Sequence, residues 1–248
     1  MKLSVCCIMK NEELFADLFI KSALQFADEI IITVDTKSTD GTKEIVSQYT
    51  HGKVRMYELN FGRWFRKAKQ FVNDKATGDW IFNMDADEVI HENNAKIIKQ
   101  VIEEAEKQGL DALHVEYLHF IYCFKWIDNT EPLHIGIHRL YRKYPDVVYV
   151  RENHTLPECK NWRAVGFTNK ILVWHLGYLR GMEKIRERFD RNYHYSEIHI
   201  PYHQVMWRDR HYFGDYPTKE IDPNCIPKVI RDHFMMEIGG SSILQIKR

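Results

Sequence analysis

The sequence predicts an α/β protein with a mixed, mostly parallel sheet flanked by helices, and three observations carry that prediction. Short apolar runs of strand length alternate with segments of helical period four times before residue 110. Several of those runs end in polar or acidic residues, which suits strands opening onto the carboxyl edge of a sheet. The 248 residues, 44% hydrophobic and 28% charged, suffice for one large domain with a substantial core.

Taken in order, residues 3–9 read as a first strand, and Asn11 is a suitable N-cap for a helix whose buried face carries Leu14, Phe15, Leu18, Phe19 and Phe26. A second strand over 30–34 runs into the polar turn Asp35-Thr36-Lys37-Ser38-Thr39-Asp40-Gly41-Thr42, in which Ser38 or Asp40 would cap the helix of Ile45, Val46 and Tyr49. A third strand over 54–59 precedes a helix marked by Phe65, Ala68, Phe71, Val72 and Ala76, which stops near Gly78. The fourth strand is Trp80-Ile81-Phe82-Asn83-Met84, followed by a helix through Ala95, Ile98, Val101, Ile102 and Ala105 that closes at Gly109. Beyond Leu110 the rhythm changes. Strands are expected at 112–124, 133–141, 147–150 and 171–174 without helices between them, then a helix from about Met182. The domain reading is residues 1–180 as one catalytic unit and 181–248 as a helical, aromatic C-terminal extension packed on it.

Charge and cysteine content narrow the function. Lys plus Arg and Asp plus Glu number 35 each, so no global field points to nucleic acid or an anionic surface. Five cysteines without paired metal spacing suit a reduced, cytoplasmic setting, with Cys6 and Cys7 as small buried hydrophobes. No apolar segment has the length of a membrane span or the pattern of a signal peptide, which leaves a soluble protein or one peripheral at a membrane.

The chemistry concentrates where the fourth strand ends. Trp80 to Met84 delivers Asp85, Asp87 and Glu88 to the sheet edge, and Glu88 is read as turned to solvent. Two carboxylates two residues apart repel one another unless a cation or proton lies between them, and hard divalent ions favour such oxygen ligands. Alone the Asp-x-Asp pattern is common in solvated turns. Asn11 after the first strand and Asp35 after the second lie at the same edge, and together the three positions describe a polar pocket.

Three segments carry a family resemblance: Cys7-Ile8-Met9-Lys10-Asn11-Glu12-Glu13, Val34-Asp35 through Thr42, and Ala76-Thr77-Gly78-Asp79-Trp80 followed by Asp85-Ala86-Asp87-Glu88. In this combination the chain resembles the family 2 glycosyltransferases of the GT-A fold, closely over about the first 90 residues and loosely over the next 90. Arg139-Leu140-Tyr141-Arg142-Lys143 is similar to a segment of the lipopolysaccharide-core-type members. The resemblance implies a metal-dependent, inverting glycosyltransferase of hexosyltransferase type, taking a nucleoside diphosphate sugar, most often UDP-linked, and a glycan or lipid-linked acceptor. It implies that Met9, by its backbone, with Asn11 or Glu13 and Asp35, lines the nucleobase pocket. Asp85 would lie near the ribose and metal-bound water, Asp87 would bind Mn²⁺ or Mg²⁺, and His175 would complete that metal site. Where the family often has Arg-Asn, this chain has Lys69-Gln70. Lys69 keeps the charge that could meet a carboxylate or diphosphate but lacks the bidentate fork of Arg.

An inverting transfer needs a base on the acceptor hydroxyl. Glu152 is the residue assigned, with His154, Asp128 and Glu131 as alternatives. Residues 191–216, rich in Tyr, His and Trp207, suit either stacking on an acceptor sugar or packing. Two other functions fit the same pocket. One is a non-catalytic nucleotide-sugar or glycan-binding module. The other is a sugar-phosphate nucleotidylyltransferase, disfavoured because no glycine follows the first strand.

Overall fold

The computed structural model describes residues 1–120, 124–128, 138–150, 156–180 and 218–234. The first half alternates β1 (Leu3–Met9), α1 (Ala16–Ala23), β2 (Glu29–Asp35), α2 (Thr42–Ser47), β3 (Val54–Leu59), α3 (Phe65–Lys75), β4 (Trp80–Asn83), β5 (Glu88–Ile90) and α4 (Glu92–Lys107). The second half adds β6 (Ala112–His119), β7 (Trp126–Asp128), β8 (His138–Arg142), β9 (Val148–Val150), β10 (Leu156–Glu158), β11 (Val165–His175), β12 (Thr218–Glu220) and α5 (Lys228–His233).

Eight strands form one sheet in the order β3-β2-β1-β4-β8-β6-β11-β5. The β3-β2-β1-β4 half is parallel. Strand β8 is antiparallel to both neighbours, β11 runs parallel to β6, and β5 closes the edge antiparallel to β11. Edge strand β3 is only partly buried, whereas β1, β2 and β4 are almost wholly buried. Helices cover both faces of these three, and alternate residues of a strand point to opposite faces. Leu3, Val5, Cys7 and Met9 join α1, α2 and α4 in one core cluster, while Cys6 joins Ile31, Ile81, Val72 of α3 and Ala76 just after it in another. Both cysteines are fully buried, and burial pushes their thiols up, out of the reactive range.

A third cluster ties the C-terminal segment to the start of the chain. Ile226 and Ile230 pack with Phe15, Leu18, Val89, Phe120 and Trp174, and His233 Nδ1 lies 3.1 Å from Asp17.

The structure corrects several local expectations. Asn11 does not cap α1. It takes φ of 55°, in the left-handed region Asn tolerates better than most residues, and α1 begins only after a turn in which the Glu12 carbonyl accepts from the Phe15 and Ala16 amides. Glu88 does not face solvent: it is 1% exposed and opens β5, a strand the sequence reading missed. The strand expected over 112–124 ends at His119, with Trp126–Asp128 a separate strand paired to Thr218–Glu220. The strand expected over 171–174 extends to 165–175, with a register break between Thr168 and Leu172. The helix expected from Met182 lies outside the described residues, as do 191–216.

At the opposite edge, Glu29 joins β1, β2 and the turn before β4. Its carboxylate accepts from the Thr77 amide at 2.8 Å, Thr77 Oγ1 at 2.6 Å, Ser4 Oγ at 2.9 Å and Lys2 Nζ at 3.0 Å. Burial alone would raise its pKa, but bonds from Thr77, Lys2 and Ser4 outweigh that and hold it at about 2. Because the folded-state value is depressed, the stabilisation is present above the ordinary glutamate range and is lost as pH falls toward 2. Glu29→Gln is therefore expected to lower stability at pH 7 by about 2 kcal/mol. Denaturant titrations should show that gap closing as pH drops from 5 to 2; a gap unchanged by pH would contradict the assignment.

Candidate active site

The site is built where β1, β2, β4 and β11 end. Asp35, the last residue of β2, is 1% exposed. Its Oδ1 accepts from the Lys37 amide at 2.9 Å and its Oδ2 from the Gly62 amide at 2.8 Å, and Lys10 Nζ stands 3.4 Å from Oδ2. Met9 lies beside it in register, since Met9 pairs with Val34. Asn11 Oδ1 accepts from the Thr39 amide at 2.8 Å, and Glu13 Oε2 from the Gly41 amide at 2.9 Å. Asp40 Oδ2 accepts from the Glu13 amide, and its Oδ1 accepts from the Thr42 amide at the start of α2. Asn11 and Glu13 thus tie the turn after β1 to the turn after β2, at the edge where Met9 and Asp35 end their strands.

The acidic turn after β4 is closed by its own residues. Glu88 N–H donates to the Asp85 carbonyl, and Glu88 Oε2 accepts from the Asp85 amide at 2.9 Å. Asp85 lies between two cations, Lys69 Nζ at 3.0 Å from Oδ1 and Arg139 Nη2 at 2.9 Å from Oδ2. Arg139, 8% exposed, also reaches Glu88 Oε1 at 3.3 Å. Burial works against ionised Asp85, yet Arg139 and Lys69 hold its carboxyl well below the usual range. Glu88 goes the other way. Burial, aided by the charges of Asp85 and Asp87 and opposed by Arg139, pushes it up to about 8.

Asp87, 2% exposed, meets His175 across the sheet edge, with Oδ1 3.8 Å from Nε2. Its Oδ2 receives Arg180 Nη2 at 2.8 Å, and the same nitrogen is 2.6 Å from Glu12 Oε2. The Arg180 guanidinium lies 4.8 Å from the Phe15 ring. Gly177 makes this approach possible: a Cβ there would come within 2.7 Å of His175 Nε2 and 2.8 Å of Asp87 Oδ2.

Glu152, His154 and Glu131 lie outside the described residues. Asp128 is buried at the end of β7, opposite Thr218. Residues the sequence reading gave no role are Glu12, Glu88, Arg139, Gly177 and Arg180. Arg139 and Glu12 sit inside the quoted motifs, and Gly177 follows His175 by two residues, so the signal was present without a partner to interpret it.

An acid-lined carboxyl edge on this mixed sheet, with helices on both faces, defines a protein of the GT-A fold. The fold is shared with S. aureus TarS 1-349, at a TM-score of 0.53 and 17% identity over 71% of this chain and 60% of that one. A structure of TarS 1-349 in complex with UDP-GlcNAc aligns at a TM-score of 0.54 and 15% identity, over 71% and 58% of the two chains. The family model for glycosyl transferase family 2 matches residues 4–160, and the chain belongs to that family. The lipopolysaccharide core biosynthesis glycosyltransferase LpsC of Rhizobium meliloti is 32% identical over 108 residues, 42% of this chain and 38% of LpsC. A TPR repeat-containing protein of Synechococcus elongatus is 26% identical over 196 residues, 75% of this chain and 44% of that protein. The chain thus spans less than half the length of either curated relative.

Arg139 carries the site's electrostatic balance, and removing one partner of a buried ion cluster leaves the others uncompensated. Arg139→Met is expected to destabilise the fold by about 3–5 kcal/mol. Adding Glu88→Gln should recover part of that loss in thermal melts. A single variant as stable as the parent would contradict this role.

Proposed function

We propose that the protein transfers a sugar from a nucleoside diphosphate sugar, UDP-linked by analogy with the TarS complex, to a hydroxyl of a glycan or lipid-linked acceptor, with inversion. The observation that carries the reading is the pairing of Asp87 with His175 at the sheet edge where β2 ends in Asp35. In this reading Met9, Asn11, Glu13 and Asp35 receive the nucleobase, and Lys69 and Asp85 stand near the ribose and diphosphate. Residues 1–180 form the catalytic unit, and 181–248 an extension, which the packing of Ile226 and Ile230 on Phe15 and Leu18 supports.

Asp87 and His175 suit Mn²⁺ or Mg²⁺. Atoms sharing one divalent ion lie about 3–4 Å apart, and the 3.8 Å between Oδ1 and Nε2 falls in that range, over a glycine that leaves the space clear. Among the described residues no three such side chains gather; in this reading phosphate oxygens and water would complete the shell, as is usual for Mg²⁺. When bound, the ion would stabilise the charge that builds on the departing diphosphate.

The chain's own residues do the remaining work. Arg180, held by Glu12 and Asp87, is placed to turn from those acids to the diphosphate, which offers more negative charge. Lys69 and Arg139 keep Asp85 ionised, as an acceptor for a ribose hydroxyl or a bound water. Glu152 is the proposed base for the acceptor hydroxyl. No helix of the described residues is long and apolar enough to cross a membrane.

The test is a panel of nucleoside diphosphate sugars with Mn²⁺ or Mg²⁺, scoring release of nucleoside diphosphate with and without chelator. Chelator-sensitive turnover of one donor is expected, with Asp87→Asn lowering kcat by about 10²-fold or more in a protein that still folds. Donor binding without turnover would replace this reading with a nucleotide-sugar-binding module.

A further inference from the structure

His175 does not stand alone at the end of β11. Strand β6 lies beside it in parallel, and the register after the break at Thr168/Leu172 aligns His175 with His119, the last residue of β6. The two imidazoles meet edge to face, with ring centres 4.8 Å apart at 75°, and their Nδ1 atoms are 2.9 Å apart. Tyr117 stacks on His119 at 5.9 Å and 15°, and Tyr178 contacts both rings at 5.7 and 5.1 Å, so neither ring is free to turn without disturbing an aromatic neighbour.

We propose that His119 is a positioning residue that sets the tautomer of His175, so that a lone pair rather than a hydrogen on Nε2 faces Asp87 and a divalent cation. The inference rests on the reading of Asp87 and His175 as metal ligands. A hydrogen bond between two neutral Nδ1 atoms holds one hydrogen, which leaves two arrangements. If His119 donates, His175 carries its hydrogen on Nε2 and presents it to Asp87. If His175 donates, its Nε2 presents a lone pair in that direction, and His119 accepts at Nδ1. Only the second arrangement ligates a metal, and a partner on the far nitrogen is how a protein fixes a ligating imidazole. His119 is rigid and registered to the strand that carries the ligand.

The experiment uses the full chain with UDP and compares His119→Leu, His119→Asn and Asp87→Asn. In electron paramagnetic resonance titrations with Mn²⁺, His119→Leu is expected to weaken binding about 10- to 100-fold. His119→Asn, whose amide oxygen can accept from Nδ1–H, should restore most of it. Nitrogen-15 spectra of the unsubstituted protein with Mg²⁺ and UDP should show the His175 hydrogen on Nδ1. An unchanged Mn²⁺ affinity in His119→Leu, no rescue by Asn, or a hydrogen on Nε2 in the metal-loaded protein would overturn the proposal. The nitrogen-15 result needs no variant and stands even if His119→Leu fails to fold. Loss of Mn²⁺ binding in Asp87→Asn but not in His119→Leu would overturn only the role of His119. An unsubstituted protein that binds no Mn²⁺ would overturn the metal reading and this proposal together.

Discussion

The site depends on neutralising acids that the fold forces together. Strand β4 ends in Asp85, Asp87 and Glu88 within four residues, and two of the three are almost fully buried. Left uncompensated, such a turn would open or take up protons. Here each acid is met differently. Asp85 has Lys69 and Arg139, Asp87 has Arg180, and Glu88 shares Arg139 while burial pushes it up to about 8. The cations come from α3, β8 and the segment after β11, so neutralising the acidic turn draws on distant parts of the chain.

That balance bears on how the site would work. With the carboxylates paired to fixed side chains, a divalent ion entering by itself competes with Arg180 for Asp87. A diphosphate arriving with the ion changes the terms, since it adds negative charge that can take Arg180 and complete the ion's shell. Under the proposed function, donor and metal would therefore enter together. Glu12 adds to the coupling, because it joins the loop after β1 to Arg180, and the same loop carries Asn11 and Glu13, which hold the turn that follows Asp35.

Much of this was legible in the sequence, for local reasons. Strands β1, β2 and β4 are buried because helices cover both faces, and the residues ending them are visible as the places where apolar runs stop. Asp35, Asp85, Asp87 and His175 were found that way, and the structure sets all four at strand ends or in the turns that follow. Their partners were not legible. Arg139 meets Asp85 across 54 residues and Arg180 meets Asp87 across 93, and no local pattern announces a pairing at that range. Strand β5 was missed because three residues after a tight turn carry no period. The first half of β11 was missed because its exposed, polar-alternating residues, Val165 to Lys170, hide a strand that the apolar run of 171–174 only finishes. Asn11 failed as a cap for a backbone reason: a positive φ there swings the chain into a turn before the helix can start.

The most direct test of the central claim is a crystal structure of the protein soaked with Mn²⁺ and UDP, with the ion located by its anomalous scattering. The account predicts one strong peak bonded to Asp87 Oδ1 and His175 Nε2, uracil beside Asp35, and Arg180 moved from Glu12 to the diphosphate. Nucleotide bound at that edge with Arg180 still paired to Asp87 and no peak between Asp87 and His175 would contradict it.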